Sequence, residues 1–144
     1  MKPVLLVLLC SLTGTLLSQP SGTKKIDSLF SAANYQEAKK VIIQLAASSS
    51  NVEETCLLSN RLAEILMMEG NFHEAETTLQ SMLQNPSIRD PSLKAVTKTN
   101  LGFLYLNKAR NDLALEQLQQ ALDLFRQSGI QAASNPAQEG QFAP

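Results

Sequence analysis

Two cysteines and a single histidine are the residues that first suggest chemistry, because a thiolate activated by an imidazole is a common nucleophile. Cys10 lies in an apolar N-terminal run, which leaves Cys56 and His73 as the pair to consider. The helical pattern puts Cys56 near the start of one helix and His73 in the turn that follows it. We therefore expect Cys56 to be a small apolar helix residue rather than a catalytic thiol.

His73 is followed by Glu74 and Glu76, which raises the question of a metal site. Adjacent residues point to different faces of a helix, so these three do not make a ligand set. No CxxC pair supports a thiolate zinc site, and two cysteines do not make a disulfide framework. The sequence therefore predicts no catalytic residues, no metal and no cofactor.

The composition is that of a globular domain, with 44% hydrophobic and 17% charged residues in a chain of 144. The formal net charge is −1, and no basic run is longer than the pairs Lys24-Lys25 and Lys39-Lys40. A nucleic-acid surface needs a clustered basic face. We therefore expect no nucleic-acid partner.

A six-residue phrase occurs twice: residues 33–38 read ANYQEA and residues 70–75 read GNFHEA. Ala75 follows Ala38 by 37 residues, and Ala114 follows Ala75 by 39 residues. Self-similarity near this period is typical of stacked helical hairpins. Apolar residues recur after each alanine at spacings of four and three, which indicates one buried helix face. Each phrase is therefore predicted to be the turn between two antiparallel helices, with the alanine where they cross.

Capping residues indicate where the helices begin. Three asparagines are each followed three residues later by a glutamate, the arrangement of a capping box, and an Asp-Pro pair places a cap before a proline at the first helical position. These caps are Asn34, Asn51, Asn71 and Asp90-Pro91. Gly129 is predicted to end the last helix.

This pattern resembles the tetratricopeptide repeat family. The resemblance implies an all-α fold of antiparallel helix-turn-helix repeats, stacked into a right-handed superhelix with a concave groove. It covers three units, at about 19–52, 56–89 and 95–128. The second unit matches at Leu62, Ala63, Leu66, Gly70, Phe72, Ala75 and Pro86, and the third at Leu101, Gly102, Tyr105, Ala114 and Ala121. The first unit departs from the pattern at Lys25 and Ile26, and the third has Ala109 and Asn111 in its turn.

The resemblance also implies that the first helix of each hairpin lines the groove. The partner-binding residues would then be Asn60, Glu64, Met67, Met68, Thr99, Phe103, Leu106 and Asn107. Their side chains suit a helix or an extended peptide, although Met67 and Leu106 could instead pack against the next hairpin. One subset of the family grips a C-terminal carboxylate with basic residues. Here the corresponding positions hold Thr23, Asp27, Val96 and Asn100, so that activity is not expected.

Both ends of the chain differ from the repeats. Residues 1–18 have the form of a secretory signal, with Lys2 before the apolar run 4–9 and Ser18 before the cleavage point. We expect secretion or periplasmic export, with an uncleaved membrane anchor as the alternative. Residues 129–144 are expected to be a disordered tail, since they are small, polar and interrupted by Pro and Gly.

Three functions follow from these observations. The first is a non-enzymatic scaffold or adaptor that binds a protein or peptide. The second is a regulatory N-terminal segment of a larger bacterial enzyme or sensor, similar in layout to CHAT-domain peptidase proteins or repeat-bearing histidine kinases. The third, an enzyme in its own right, is not expected. Since no capping helix is predicted after the third unit, the chain is expected either to be part of a longer protein or to self-associate through its C-terminal repeat.

Overall fold

The computed structural model describes residues 21–129, and every regular element in that range is a helix. The predicted signal at 1–18 and residues 130–144 of the predicted tail lie outside the described residues. The six helices are α1 (Ser21–Ser31), α2 (Tyr35–Ser48), α3 (Val52–Met68), α4 (Phe72–Gln84), α5 (Pro91–Asn107) and α6 (Asn111–Gln127). The prediction of an all-α fold is confirmed for this part of the chain.

The helices form three hairpins whose turns have the same hydrogen-bonding pattern. In each turn the central residue has a positive φ: 53° at Ala33, 80° at Gly70 and 56° at Ala109. The amide of the next residue donates to the carbonyl five residues earlier, as from Asn71 to Leu66 at 2.8 Å. The central amide donates to the carbonyl three residues earlier, as from Gly70 to Met67 at 3.1 Å. This is the Schellman ending of a helix, and it confirms that the repeated phrase is a turn.

Most of the predicted caps form, and they determine where the helices begin. Asn51 accepts from the amides of Glu53 and Glu54 at 2.9 and 3.2 Å, and Asp90 accepts from Ser92 at 2.8 Å. These caps start α3 and α5 at residues 52 and 91, ahead of the unit boundaries expected at 56 and 95. Asn34 makes a longer cap bond of 3.4 Å to the amide of Glu37.

The expected cap at Asn71 is wrong in its hydrogen bonding. Asn71 does occupy the cap position of α4, but its side chain makes no cap bond. Its amide group instead donates to the Glu69 carboxylate at 3.4 Å. The Glu69 carboxylate, two residues earlier, therefore binds the Asn71 side chain, which would otherwise accept a hydrogen bond from an amide of α4.

Small residues lie where the paired helices cross. Ala38, Ala75 and Ala114 are all buried, as the repeat pattern predicts. In the third hairpin the crossing is very close, since a Cβ built on Gly102 would lie 2.7 Å from Cγ and Cδ2 of Leu118. Gly102 therefore allows α6 to approach α5 more closely than an alanine would permit.

Each helix packs on the next one along the chain, and α3 additionally packs on α5. The largest core cluster lies between the second and third hairpins and includes Leu66, Leu79, Leu101 and Leu104. A second cluster joins the first hairpin to α3 through Ile26, Ile42 and Ile65, and a third surrounds Cys56. The described core thus consists of three clusters, each of which joins neighbouring hairpins.

Charged residues join successive hairpins at equivalent places but with opposite signs. Lys39 of α2 contacts Glu69, in the turn of the second hairpin, at 3.1 Å. In the next pair of hairpins Glu76 of α4 contacts Lys108, in the turn of the third, at 2.8 Å. Lys39 and Glu76 each directly follow the crossing alanine, so the contact repeats with its charges exchanged.

Candidate functional site

A chain of polar side chains crosses the first helices of the three hairpins. We call it the polar network, and its members are Asp27 of α1, Asn60, Arg61 and Glu64 of α3, and Thr97 and Asn100 of α5. It lies among otherwise apolar packing residues. The network is therefore the first place to look for polar chemistry.

The inner end of the network is buried and tightly bonded. Asn60 and Asn100 are each only 2% exposed. The amide group of Asn60 donates to the Cys56 carbonyl at 2.9 Å and to Thr97 Oγ1 at 3.0 Å, while its Oδ1 accepts from Asn100 Nδ2 at 3.0 Å. The Thr97 hydroxyl donates to the Leu93 carbonyl at 2.9 Å. These bonds use the polar groups to hold α3 against α5.

The outer end of the network carries charge and reaches the surface. The guanidinium of Arg61 donates to Glu64 Oε2 at 3.0 Å and to Asp27 Oδ1 at 2.9 Å. It also lies 5.4 Å from the centre of the Phe30 ring, within range of a cation–π interaction. Arg61 therefore links α3 to two residues of α1.

These contacts establish the direction in which the helices run. Asn60 contacts Thr97 and Asn100, and Glu64, one turn further along α3, lies 3.5 Å from Asn100 Nδ2. Cys56, one turn before Asn60, has its Sγ 4.0 Å from Thr97 Oγ1. Residues later in α3 thus contact residues later in α5. The two helices run parallel, side by side.

Three of the eight residues expected to line a groove are in fact buried between helices. Asn60 and Glu64 belong to the polar network, and Met67 belongs to the core cluster between the second and third hairpins. The alternative packing position stated for Met67 is thus the one observed. Leu106 is 44% exposed, and no hairpin follows the third among residues 21–129, so its alternative position stays a prediction.

The other expected groove residues keep accessible surface. Met68, Thr99 and Phe103 are half-buried, and Asn107 is exposed like Leu106. The Thr99 hydroxyl donates to the Ala95 carbonyl and the Asn107 amide group donates to the Phe103 carbonyl, both at 2.9 Å. We call these five residues (Met68, Thr99, Phe103, Leu106 and Asn107) the α3–α5 face.

Register brings the members of this face towards one another. Asn100 lies beside Asn60 and Glu64. Since α3 and α5 are parallel, the bonds of Asn100 to Asn60 and Glu64 put Phe103, three residues on, level with residues 63–67 of α3, and they put Met68 level with residues 104–108 of α5. The face therefore combines a thioether, an aromatic ring and an aliphatic chain with polar groups at its ends.

Sequence reasoning overlooked most of the polar network. It named Asn60 and Glu64 only as groove residues, and it mentioned Asp27 and Asn100 only to reject a carboxylate grip. A usable signal was present, because Thr97 and Asn100 sit at helical spacing between the apolar Leu93 and Leu104. Polar residues on a buried stripe must find partners inside the protein.

Cys56 and His73 do not form a catalytic pair. Cys56 is fully buried beside Thr97, whereas His73 is exposed near the start of α4. Burial raises the pKa of the Cys56 thiol, partly offset by its contact with Thr97. A thiol with a raised pKa is a poor nucleophile at neutral pH.

Other shifted pKa values belong to contacts between hairpins and within the third hairpin. The hydrogen bond from Lys108 lowers the pKa of Glu76, and burial raises the pKa of Tyr105, whose hydroxyl donates to Glu76 at 2.9 Å. Burial also lowers the pKa of Lys98, which donates to Gln120 at 2.7 Å.

Residues 21–129 contain no cluster of three or more His, Cys, Asp or Glu side chains that could hold a metal ion, and no buried side-chain nitrogen or oxygen without a hydrogen-bond partner. None of their helices is both long enough and apolar enough to cross a bilayer.

Comparison of the chain with family models, with curated proteins and with solved structures finds no match.

Proposed function

We propose that this chain is a non-enzymatic protein-binding module that holds a peptide or helix on the α3–α5 face. We also propose that its hairpins form a tetratricopeptide-like solenoid. The observation that carries the binding proposal is the parallel pairing of α3 with α5, which places Met68 of α3 level with the turn of α5 that carries Leu106 and Asn107. Parallel neighbours give a surface whose side chains repeat along one direction, as an extended or helical ligand requires.

The polar network supports this proposal through rigidity. Its buried amides bond to one another and to backbone carbonyls, so they are occupied within the protein. A fully bonded internal network fixes the relative position of the helices that carry it. Preorganised side chains bind at a lower entropic cost, because less motion is lost when a ligand arrives.

The chemistry of the α3–α5 face favours an apolar anchor flanked by polar contacts. Methionine is flexible and polarizable, and it adapts to ligands of different shape. Phe103 and Leu106 add apolar area, while Thr99 and Asn107 bring polar groups to its edge. We therefore expect a ligand with one or two large apolar side chains rather than a charged one.

The solenoid proposal rests on repetition. Three turns share one hydrogen-bonding pattern, three crossing alanines are buried, and the ion pair between hairpins recurs with its charges exchanged. Equivalent turns and equivalent junctions are the features from which a repeat stack is built.

Peptide selection tests the binding proposal. A random dodecapeptide library displayed on phage would be panned against the purified full chain, and enriched peptides would be titrated by fluorescence anisotropy. Met68→Glu and Phe103→Glu should each weaken binding about tenfold or more, equivalent to about 1.4 kcal/mol. Ile43→Glu, at an exposed apolar residue of α2, is the matched control and should bind normally.

Two results would contradict the binding proposal. One is a library that yields no saturable binder. The other is a set of peptides whose affinity is the same for both α3–α5 variants and the control, since these peptides would bind elsewhere.

We further propose that the module acts after export, on the basis of the signal-like residues 1–18. The intact mass of the native protein, recovered from a secreted or periplasmic fraction, tests this. A mass equal to that of residues 19–144 is expected. Recovery from the cytosol alone would contradict export.

A further inference from the structure

The outer side of α6 carries an apolar stripe with the spacing of a coiled coil. We call it the α6 seam, and its residues are Leu115, Leu118, Leu122 and Phe125. Their spacing of three, four and three follows a heptad pattern, in which every residue faces a partner helix. Leu115 and Leu122 are 58% and 47% exposed, although they are large and apolar.

The seam lies beside the face that packs α6 on its own hairpin. The face that meets α5 is centred on Ala114 and Ala121, which are buried. Leu118 lies at the boundary, because one side of it contacts Gly102. Leu115 and Leu122 point further round the helix, away from the crossing, and among residues 21–129 the principal partner of α6 is α5. An apolar stripe of about three turns is thus left at the surface, with Leu115 and Leu122 exposed and Leu118 and Phe125 half-buried.

We propose that the α6 seam pairs with the α6 seam of a second copy of this chain, with the two helices antiparallel. In antiparallel pairs, the two kinds of seam position meet each other across the interface. Leu115 then faces Phe125 of the second copy, and Leu118 faces Leu122 of the second copy. Both pairings are centred on residue 120, so a single alignment of the two helices makes both of them. By two-fold symmetry each contact occurs twice, as an isologous dimer requires.

The charges beside the seam select this orientation. Asp112, Gln119 and Arg126 follow one another at intervals of seven along one flank, and all three are exposed. In the antiparallel register Asp112 lies opposite Arg126 of the second copy, twice per dimer, and Gln119 lies opposite its own counterpart. In a parallel pair the two copies of this flank lie on opposite sides of the seam, so Asp112 and Arg126 would not meet each other. The sequence of the flank is therefore complementary to itself only when reversed.

Sedimentation equilibrium of the full chain tests the association. The wild-type protein is expected at twice the 15.7 kDa chain mass. Leu115→Glu/Leu122→Glu is expected at the monomer mass with unchanged helical circular dichroism, because both residues are exposed in the single chain. Ile43→Glu, an equally exposed apolar residue on α2, is the control that should remain dimeric.

A mixing experiment tests the register. Asp112→Lys puts positive charge at both flank positions, and Arg126→Glu puts negative charge at both. Each variant alone is expected to dimerise about tenfold more weakly than wild type, from repulsion across the interface. An equimolar mixture of the two should form a heterodimer with near-wild-type affinity. Raising the salt concentration should reduce all of these differences.

The outcomes separate clearly. A wild-type monomer at every concentration overturns the proposal. A dimer that survives Leu115→Glu/Leu122→Glu uses a different surface. Variants that dimerise well alone, or that fail to rescue each other on mixing, overturn the antiparallel register. None of these outcomes depends on whether the α3–α5 face binds a peptide.

Discussion

The second and third hairpins differ in where glycine lies: one has it in the turn and the other at the helix crossing. In the second hairpin, Gly70 occupies the left-handed turn position and Ala63 lies on α3 near the crossing. In the third, Ala109 occupies the turn and Gly102 lies at the position equivalent to Ala63. Their first helices both contain 17 residues, so length does not explain the difference.

The two positions make different demands. A turn with positive φ asks only for conformational freedom, and an L-residue can adopt it at a cost of about 1 kcal/mol. A close crossing asks for space, and an added Cβ there meets a neighbouring side chain. The third hairpin therefore has a strained turn together with a closer approach of its two helices.

The largest effect is expected where the two hairpins are joined. Asn60→Leu removes three buried side-chain hydrogen bonds, to the Cys56 carbonyl, Thr97 and Asn100. We expect a loss of about 2–3 kcal/mol in the free energy of unfolding, measured by urea denaturation. Thr99→Val is the matched control, since Thr99 is the equivalent residue of α5 and its hydroxyl bonds within its own helix. Equal losses for the two variants would mean that the network does not couple the hairpins.

Gly102→Ala tests the close crossing of the third hairpin. Helix propensity alone predicts a gain of about 1 kcal/mol. We expect instead a loss of about 1–2 kcal/mol, because the new methyl group would overlap Leu118. In a Leu118→Ala background the same substitution should become stabilising. Stabilisation by Gly102→Ala in the wild-type chain would refute the close approach.

Exchanging the turn residues should have opposite effects in the two hairpins. Gly70→Ala should lower the free energy of unfolding by about 1 kcal/mol, for conformational reasons only, since no atom lies within 4 Å of the added Cβ. Ala109→Gly should raise it by about 0.5 kcal/mol by relieving strain. Thermal denaturation of both variants would measure the difference. A loss of stability in Ala109→Gly would show that the alanine turn is unstrained.

The smallest effect concerns the contact between Glu76 and Lys108. The pKa of Glu76 is lower in the folded protein than in the unfolded chain. Its carboxylate therefore stabilises the folded protein at a pH above the unfolded pKa, and this stabilisation is lost as the pH falls through the folded pKa. Glu76→Gln should cost about 0.5 kcal/mol at neutral pH and progressively less below about pH 4.5. Urea midpoints at several pH values would measure this. A difference that stays constant into acid would exclude the linkage.

Local signals predicted the helices and their turns well. Asn51 and Asp90 cap as their types suggest, and Gly70 and Gly129 have the positive φ expected after a helix. These features depend on a few adjacent residues. The cap bond expected at Asn71 is absent because Glu69 competes for its side chain, and that competition depends on rotamers rather than residue types.

The site was harder to predict because it depends on register between distant helices. Helical spacing put Asn60, Glu64 and Met67 near one face, but a shift of one residue decides whether a side chain lies in a groove or between helices. The pairing of Asn60 with Thr97 and Asn100 was not visible without knowing how far α5 is advanced relative to α3. Residues such as Phe103 and Asn107 lie further from the contact and were less sensitive to that shift.

The burial of Cys56 has a practical consequence, because its sulfur lies at the junction of the second and third hairpins, against Ile88 and Leu93. A thiol reagent can reach this atom only when the junction opens. The rate at which Cys56 is labelled, followed by mass spectrometry of its peptide, therefore measures how often the junction opens. Cys56 thus reports how often the two hairpins separate, and Asn60→Leu should increase its labelling rate.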